Sequence, residues 1–435
     1  MPYPAFPSSV LRLAAILLLG GFFAAPALAV ERISVSSNSA QGGSQSRYPA
    51  ISADGRYVAF VSDASNLVPG DTNGAPDVFL RDRVLGTTVR ISNKSDGSQS
   101  NGISFAPSIS GDGMRIVFSS YGSLLPNSGW RNCYLYDRSN GSLQILDLKP
   151  DGGAGTFGCD DPTIDLAGRR VAFTSRDLLA AGDNNGYSDI FVRDLASTTS
   201  RRISLAPGGG DANLSSSDAR ISADGSRVIF ASSASNLVAG DSNGIVDVFL
   251  AAFDGSVPIT RVNVGPSGTQ ANGFSEYDGA LNANGSLLAF ASKAPSLPDW
   301  GEFAETTMYL RIPSSDATIA LSIPSGNLAR ESTNIDPDFD YSGRYLVFAS
   351  GDVQYPGSEP GVYVVDLLRG LIALVSVGGE SGNVYMPRLS ADGTGVVWYS
   401  YSAIQVPNDT NGTWDVFYAE NPLWTEMALF ADGFE

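Results

Sequence analysis

Four loops of this chain carry the same oxygen-rich text: Gly70-Asp-Thr-Asn-Gly-Ala-Pro-Asp77, Gly182-Asp-Asn-Asn-Gly-Tyr-Ser-Asp189, Gly240-Asp-Ser-Asn-Gly-Ile-Val-Asp247 and Asn408-Asp-Thr-Asn-Gly-Thr-Trp-Asp415. The shared Asp-x-Asn-Gly-x-x-Asp matches the later positions of Ca2+ loops, in which alternating side-chain oxygens wrap a hard cation and Gly permits the sharp turn. Candidate calcium ligands are therefore Asp71, Asn73 and Asp77, then Asp183, Asn185 and Asp189, then Asp241, Asn243 and Asp247, and last Asp409, Asn411 and Asp415. Where such loops carry their first carboxylate, this chain has Pro69, Ala181, Ala239 or Pro407. Each site is one ligand short, so water or a neighbouring loop would have to complete it and affinity would be weak. The same text also reads as a metal-free turn, with Asp71 and its equivalents bonding to backbone, Gly left-handed and the last Asp capping the strand entry.

Other chemistry is constrained by what is missing. The chain contains no histidine, which removes the usual general base, the usual zinc ligand and the base of a Ser-His-Asp triad. No Gly-x-Ser-x-Gly is present either, and no catalytic set is assigned. A glycosidase would need two carboxylates about 5 to 10 Å apart; Glu276, Glu331 and Glu380 lie in connecting loops as candidates for that alternative, an enzyme acting on an extracellular glycan. Cys133 and Cys159 are the only thiols. They flank one junction between neighbouring repeats and read as a single disulfide, the alternative being two unpaired thiols.

Lys and Arg number 27 against 45 Asp and Glu, a net charge of -18. Nucleic acid is excluded as a partner on this balance, because binding a polyanion relies on clustered cations that displace its counterions.

These loops belong to a repeated element. Pro49-Ala-Ile-Ser-Ala-Asp-Gly-Arg-Tyr-Val-Ala-Phe60 recurs around 107–118, 162–173, 219–230, 279–290, 337–348 and 387–398. Its turn glycines Gly55, Gly113, Gly168, Gly225, Gly285, Gly343 and Gly393 fall roughly 50 to 60 residues apart, a period that suits four-stranded propeller blades. In the first copy Arg47 to Ser52, Tyr57 to Ser62, Asp77 to Asp82 and Thr88 to Ser92 read as strands. Asp54-Gly55 predicts a type I′ turn with both residues at positive φ. In the second strand Tyr57, Ala59 and Val61 share one face and Val58 and Phe60 the other. Both faces are apolar, so single sheets must stack around an axis. The outer-strand text recurs as Arg202-Ile-Ser204, Arg261-Val-Asn263 and Leu374-Val-Ser376 but is missing after Phe417. Glu31-Arg-Ile-Ser-Val35 has that pattern and is expected to supply the outer strand of the last blade. The fold class is all-β, a seven-bladed β-propeller of four-stranded antiparallel blades closed by the N-terminal strand.

Pro-x-Ile-Ser-Ala-Asp-Gly followed by an apolar strand ending in Phe-x-Ser resembles the WD40-like (PD40) propeller repeat of TolB-type periplasmic proteins, whose usual text has Trp or Phe before Ser and Pro before Asp-Gly. The resemblance runs from about Arg47 to Phe417. It implies the propeller fold and a periplasmic or secreted setting. The copies are longer than in TolB and the separate N-terminal domain of that family is absent, so a TolB-like envelope scaffold with a lipoprotein partner is a second alternative.

The amino end has Arg12, an apolar run from Leu13 to Phe23, then Ala27-Leu28-Ala29. This is the pattern of a secretory signal cleaved after Ala29, with residues 30–420 as the propeller and 421–435 as a tail. The apolar run is too short to span a membrane. Loss of Arg12 with that leader brings the net charge from -18 to -19. Connections between blades, such as Gly97-Ser-Gln-Ser-Asn-Gly102, should emerge on the same side of the disc as the acidic loops, together with Tyr48, Phe105, Phe157, Phe274 and Tyr385. The expected function is a monomeric, non-enzymatic scaffold whose loop face takes a protein, peptide or carbohydrate ligand, with structural calcium as its one candidate cofactor.

Overall fold

The computed structural model describes residues 28–273, 275, 279–298, 307–323, 326–327, 336–350, 360–377 and 384–424. The expected leader falls almost wholly outside these residues, as do Glu276, Glu331, Glu380, Phe274 and the tail beyond Trp424. Seven four-stranded antiparallel sheets follow one another along the chain. The first consists of Ser46–Ile51, Tyr57–Ser62, Asp77–Asp82 and Thr87–Arg90, running from the axis outwards. Among the described residues no helix is long and apolar enough to cross a membrane.

Each blade carries one aromatic pair, placed opposite each other on the second and third strands. Phe60 stacks on Phe79 at 5.8 Å, Phe118 on Tyr134 at 5.9 Å, Phe173 on Phe191 at 6.0 Å, and Phe230 on Phe249 at 5.8 Å. Phe290 with Tyr309, Phe348 with Tyr363 and Trp398 with Phe417 complete the set. Such pairs contribute about 1 kcal/mol each beyond the area they bury. The alternation along Tyr57–Ser62 divides its side chains between two cores. Tyr57, Ala59 and Val61 pack with Ile116 and Phe118 of blade 2, whereas Val58 and Phe60 pack with Val397 and Val416 of blade 7. Every one of the seven apolar clusters bridges two neighbouring blades in this way. Stability therefore resides between blades rather than within them.

On the last sheet the outermost strand is Glu31–Arg32, antiparallel to Asp415–Glu420, with Glu31 opposite Tyr418 and Arg32 opposite Phe417. The backbone N–H of Ile33 donates to the carbonyl of Val416 at 2.8 Å, and Ile33 is fully buried between blades 7 and 1. Turns between first and second strands are linked blade to blade by backbone hydrogen bonds, among them Ala53 to Gly111, Gly111 to Leu166, Leu166 to Ala223 and Asp392 to Ala53.

Those turns differ from the type I′ expectation. Gly55 alone has positive φ, 69°, while Asp54 does not. The physical reason is local: Ser52 Oγ donates to the Asp54 carboxylate, which also accepts the N–H of Arg56, and Ser52 Oγ receives the N–H of Tyr57. This side-chain frame holds Asp54 in an ordinary conformation and leaves the reversal to Gly. At Gly113 a second constraint adds to φ, since a Cβ there would lie 2.2 Å from the Tyr57 ring.

Cys133, on the third strand of blade 2, is bonded to Cys159 at the start of the innermost strand of blade 3, with Cα atoms 5.4 Å apart and both residues fully buried. The bond ties two adjacent blades together.

Candidate functional site

The acidic loops connect the second strand of a blade to its third, and the structure brings each expected trio together. In blade 1, Asn73 Oδ1 accepts the N–H of Ala75, while its Nδ2 donates to Asp77 and to the carbonyl of Ser100. Gln99 Nε2 donates to Asp71 at 2.7 Å, and Ser92 Oγ donates to Asp77. Gly70 and Gly74 take φ of 74° and 65°. The same Asn-to-Asp contact recurs at Asn185 and Asp189, Asn243 and Asp247, and Asn411 and Asp415.

Each trio also surrounds a residue that the sequence reasoning left out. An arginine of the outermost strand reaches both carboxylates: Arg90 lies 3.4 Å from Asp71 and 3.5 Å from Asp77, Arg202 2.9 Å from Asp183 and 3.2 Å from Asp189. Arg261 is 3.2 Å from both Asp241 and Asp247, and Arg32 is 3.6 Å from Asp409 and 3.7 Å from Asp415. The signal was in the text, because Arg32, Arg90, Arg202 and Arg261 hold one position of the repeated outer-strand motif. Burial pushes the carboxyls of Asp77, Asp189, Asp247 and Asp415 above their usual range; hydrogen bonds from Ser92, Ser204, Asn263 and Ser34, and the arginines, oppose it. Among the described residues no group of three or more Cys, Asp or Glu side chains is arranged to hold a metal ion.

Blade 2 lacks the motif and exchanges the roles. Asn132 stands where the four blades with the motif have the final Asp, and the carboxylate moves to Asp147, which accepts Asn132 Nδ2 at 2.7 Å and the N–H of Cys133 at 3.0 Å.

A cavity of about 600 Å3 runs along the axis, lined by the innermost strand of every blade. In blades 1, 2, 3, 4 and 7 that strand is bulged where it enters the axis. Tyr48, Ala106, Asp161, Asp218, Asp336 and Met386 have φ between 28° and 56°, a region costly for non-glycine residues. The register of the innermost strand slips beside them, between Arg47 and Ala50 in blade 1 and between Phe105 and Ser108 in blade 2. In blades 1, 2, 3, 6 and 7 proline follows, tolerated because this edge of the sheet faces the axis. Deeper along the axis Asp338 feels the positive charges of Arg388 and Arg220, which offset only part of the upward push of its burial. Apart from Tyr48, expected on the loop face as an aromatic, these axial residues were not singled out from sequence, since no spacing rule marks a bulge before it is seen.

The two ends of the disc differ in their exposed apolar side chains. On the side of the second-to-third and inter-blade loops lie Trp130, 65% exposed, Phe157, 62% exposed, Tyr187 and Tyr401. The opposite side exposes Val84, Leu85, Met114, Val257 and Leu368 and, among the described residues, one large aromatic, Trp424, which follows the last strand beside the Gly393 turn. Two aromatic groups flank blade 1. In blade 2 Phe105 stacks on Tyr121 at 5.6 Å and Tyr121 meets Trp130 edge-on at 5.0 Å, with Arg131 held by Asp160 at 2.8 Å and lying over both rings. In blade 7 Trp414 meets Tyr385, Tyr399 and Tyr401 edge-on at 4.9 to 5.6 Å, and Tyr48 of blade 1 approaches Tyr399. Between them blade 1 offers the Arg47 and Asp63 pair, 3.6 Å apart. Of the aromatics expected on this side, Tyr48 and Phe157 are exposed whereas Phe105 and Tyr385 are half-buried supports.

No family model matches the chain, and no curated protein matches it. Solved structures do. An oligogalacturonate lyase in complex with manganese is similar with a TM-score of 0.57 and 14% identity, over 92% of this chain and 95% of that one. A second oligogalacturonate lyase, from Vibrio parahaemolyticus, has a TM-score of 0.53 and 14% identity, over 92% and 98%. TolB from Acinetobacter baumannii is also among the similar structures, with a TM-score of 0.38 and 17% identity over 67% of this chain and 57% of that one. At these identities the likeness to the lyases is one of fold, and the chain stands beside them as a seven-bladed β-propeller.

Proposed function

We propose that the protein is a binding scaffold whose ligand, an extended carbohydrate or peptide, lies on the loop face across blades 7, 1 and 2. The observation that carries this reading is the concentration of exposed aromatics on that face and at the mouth of the axis, against Trp424 alone on the opposite side among the described residues. Rings held edge-on by one another, beside an ion pair that is already neutralised, offer flat apolar surfaces with fixed polar neighbours, the combination that suits sugar rings or proline-rich segments. The buried disulfide supports an oxidising compartment for the mature chain.

The test is intrinsic tryptophan fluorescence of the mature protein titrated with neutral hexasaccharides, with an oligogalacturonate and with a proline-rich peptide. One of these is expected to quench or shift the emission. Trp130→Ala and Trp414→Ala should each weaken that binding about tenfold, the equivalent of roughly 1.4 kcal/mol, while Leu85→Ala on the opposite side leaves it unchanged. Binding that survives both tryptophan changes would place the ligand elsewhere. Release of an unsaturated product from the oligogalacturonate would replace the scaffold reading with an enzymatic one.

A further inference from the structure

The four acidic loops hold a positive charge that the chain itself supplies, and loop and charge occur together. Arg90 stands opposite Phe79, Arg202 opposite Phe191, Arg261 opposite Phe249 and Arg32 opposite Phe417, in the four blades with Asp-x-Asn-Gly-x-x-Asp. In the three blades without that text the same register position holds Ile145, Ala320 or Leu374. Seven copies of one repeat thus divide cleanly, so the two carboxylates and the arginine act as one unit.

In blades 1 and 4 the fit of the guanidinium is looser than a bidentate fork, whereas Arg202 of blade 3 donates to Asp189, Asp211 and the Gly182 carbonyl. Arg90 Nη1, and Nε and Nη2 of Arg261, form no hydrogen bond although both side chains are more than nine-tenths buried, and their nearest carboxylate oxygens are 3.2 to 3.5 Å away. An arginine selected for a carboxylate normally makes two parallel short bonds. Here it serves as a neutralising charge in a pocket whose oxygens converge from two directions.

We propose that these loops are cation sites in which arginine is the resident cation, and that withdrawing the guanidinium opens a site for a hard divalent ion such as Ca2+. Each emptied pocket would retain two carboxylates. In blade 3 it would also retain the Gly182 carbonyl, which now accepts Arg202 Nη2 at 3.1 Å, and Asp211, now 2.6 Å from the same nitrogen. Oxygen ligands of this kind, with water filling the remaining positions, are what Ca2+ takes. The intact protein holds its loops without an external ion. This inference is independent of where the ligand binds.

The experiment compares melting temperatures of the mature protein, Arg202→Ala and Arg261→Ala in chelator, in millimolar CaCl2 and in millimolar MgCl2, with calorimetric titration of CaCl2 to count bound ions. The intact protein should melt at the same temperature in all three. Each variant should melt lower in chelator and regain at least half of the loss in CaCl2, with one additional ion bound, and Asp189→Asn added to Arg202→Ala should abolish that regain. A variant that folds only with CaCl2 present has the same meaning. Should either alanine variant fail to fold under every condition, Arg261→Gln, which preserves bulk and supplies an oxygen, is read in its place. Calcium stabilisation of the intact protein, or variants indifferent to calcium, overturns the proposal.

Discussion

Asp147 occupies the place that a serine or asparagine takes in most other blades, fully buried beside Asn132 and Cys133. Burial pushes its carboxyl up to about 6, against the lowering by those two donors and with a further upward contribution from Asp177. Between about pH 4 and pH 6 the folded chain therefore keeps a proton that the unfolded chain has released. Its stabilising contribution is complete below about pH 4 and is lost as the pH rises through 6. Two pK units correspond to about 3 kcal/mol. Asp147→Asn should remove that dependence, so urea unfolding of the parent protein at pH 4 and pH 7 should show a drop of up to that size relative to the variant. Parallel pH profiles for the two proteins would contradict the assignment. At this scale the sequence was partly legible. Asp71, Asn73 and Asp77 and their equivalents were found by spacing, because a turn needs particular side chains at fixed offsets. Their arginine partner was not, because it lies on a strand whose register against the loop is a tertiary fact.

The strand Glu31–Arg32 shows how one short element does several jobs. It covers the edge of the last blade, its Arg32 serves that blade's acidic loop, and Glu31 pairs with Arg83 of blade 1 at 2.8 Å. Ile33 follows directly into the core between blades 7 and 1, and Ser34 Oγ donates to Asp415. Removing residues 31–35 should uncover an unpaired edge and lower the melting temperature by on the order of 10 °C, whereas Ile33→Ala should cost about 2 to 4 kcal/mol without exposing the edge. Calorimetry of both variants separates the core contribution from that of the strand, and equal losses would deny the strand a role of its own. The boundaries of the second and third strands, Tyr57–Ser62 and Asp77–Asp82, could be read from alternation because both faces are buried. The innermost strands could not be read as fully, since their bulges at Tyr48, Ala106 and Met386 are set by packing around the axis rather than by residue type. The type I′ expectation at Asp54-Gly55 failed for a related reason: the Ser52 hydroxyl, two residues away, governs the turn.

For the molecule as a whole, the chain carries a net charge of -18 around seven inter-blade cores, and buried carboxyls and surface charge respond to pH in different ways. Burial raises the carboxyls of Asp77, Asp165, Asp189, Asp247, Asp340 and Asp415. By the same sign argument as for Asp147, their contributions decline as the pH climbs above the unfolded value. Hydrogen bonds from Ser139 and from the N–H of Ser197 lower Asp137 and Asp194, and their contributions decline only as the pH falls through those depressed values. Self-repulsion of the anionic surface also grows from pH 4 upward. The three effects together place maximal stability on the mildly acidic side, at about pH 5, with a fall that ends once the carboxyls are ionised, so that stability at pH 8 is lower than at pH 5. Sodium chloride should recover part of that fall, because it screens the exposed charges over about 10 Å at 0.1 M but leaves the buried arginine pairs almost untouched. Melting curves from pH 4 to pH 8 at low and high salt test this: a maximum at pH 7 or above in low salt, or a salt effect as large at pH 5 as at pH 8, would mean that surface repulsion and buried carboxylates do not govern the stability of the disc.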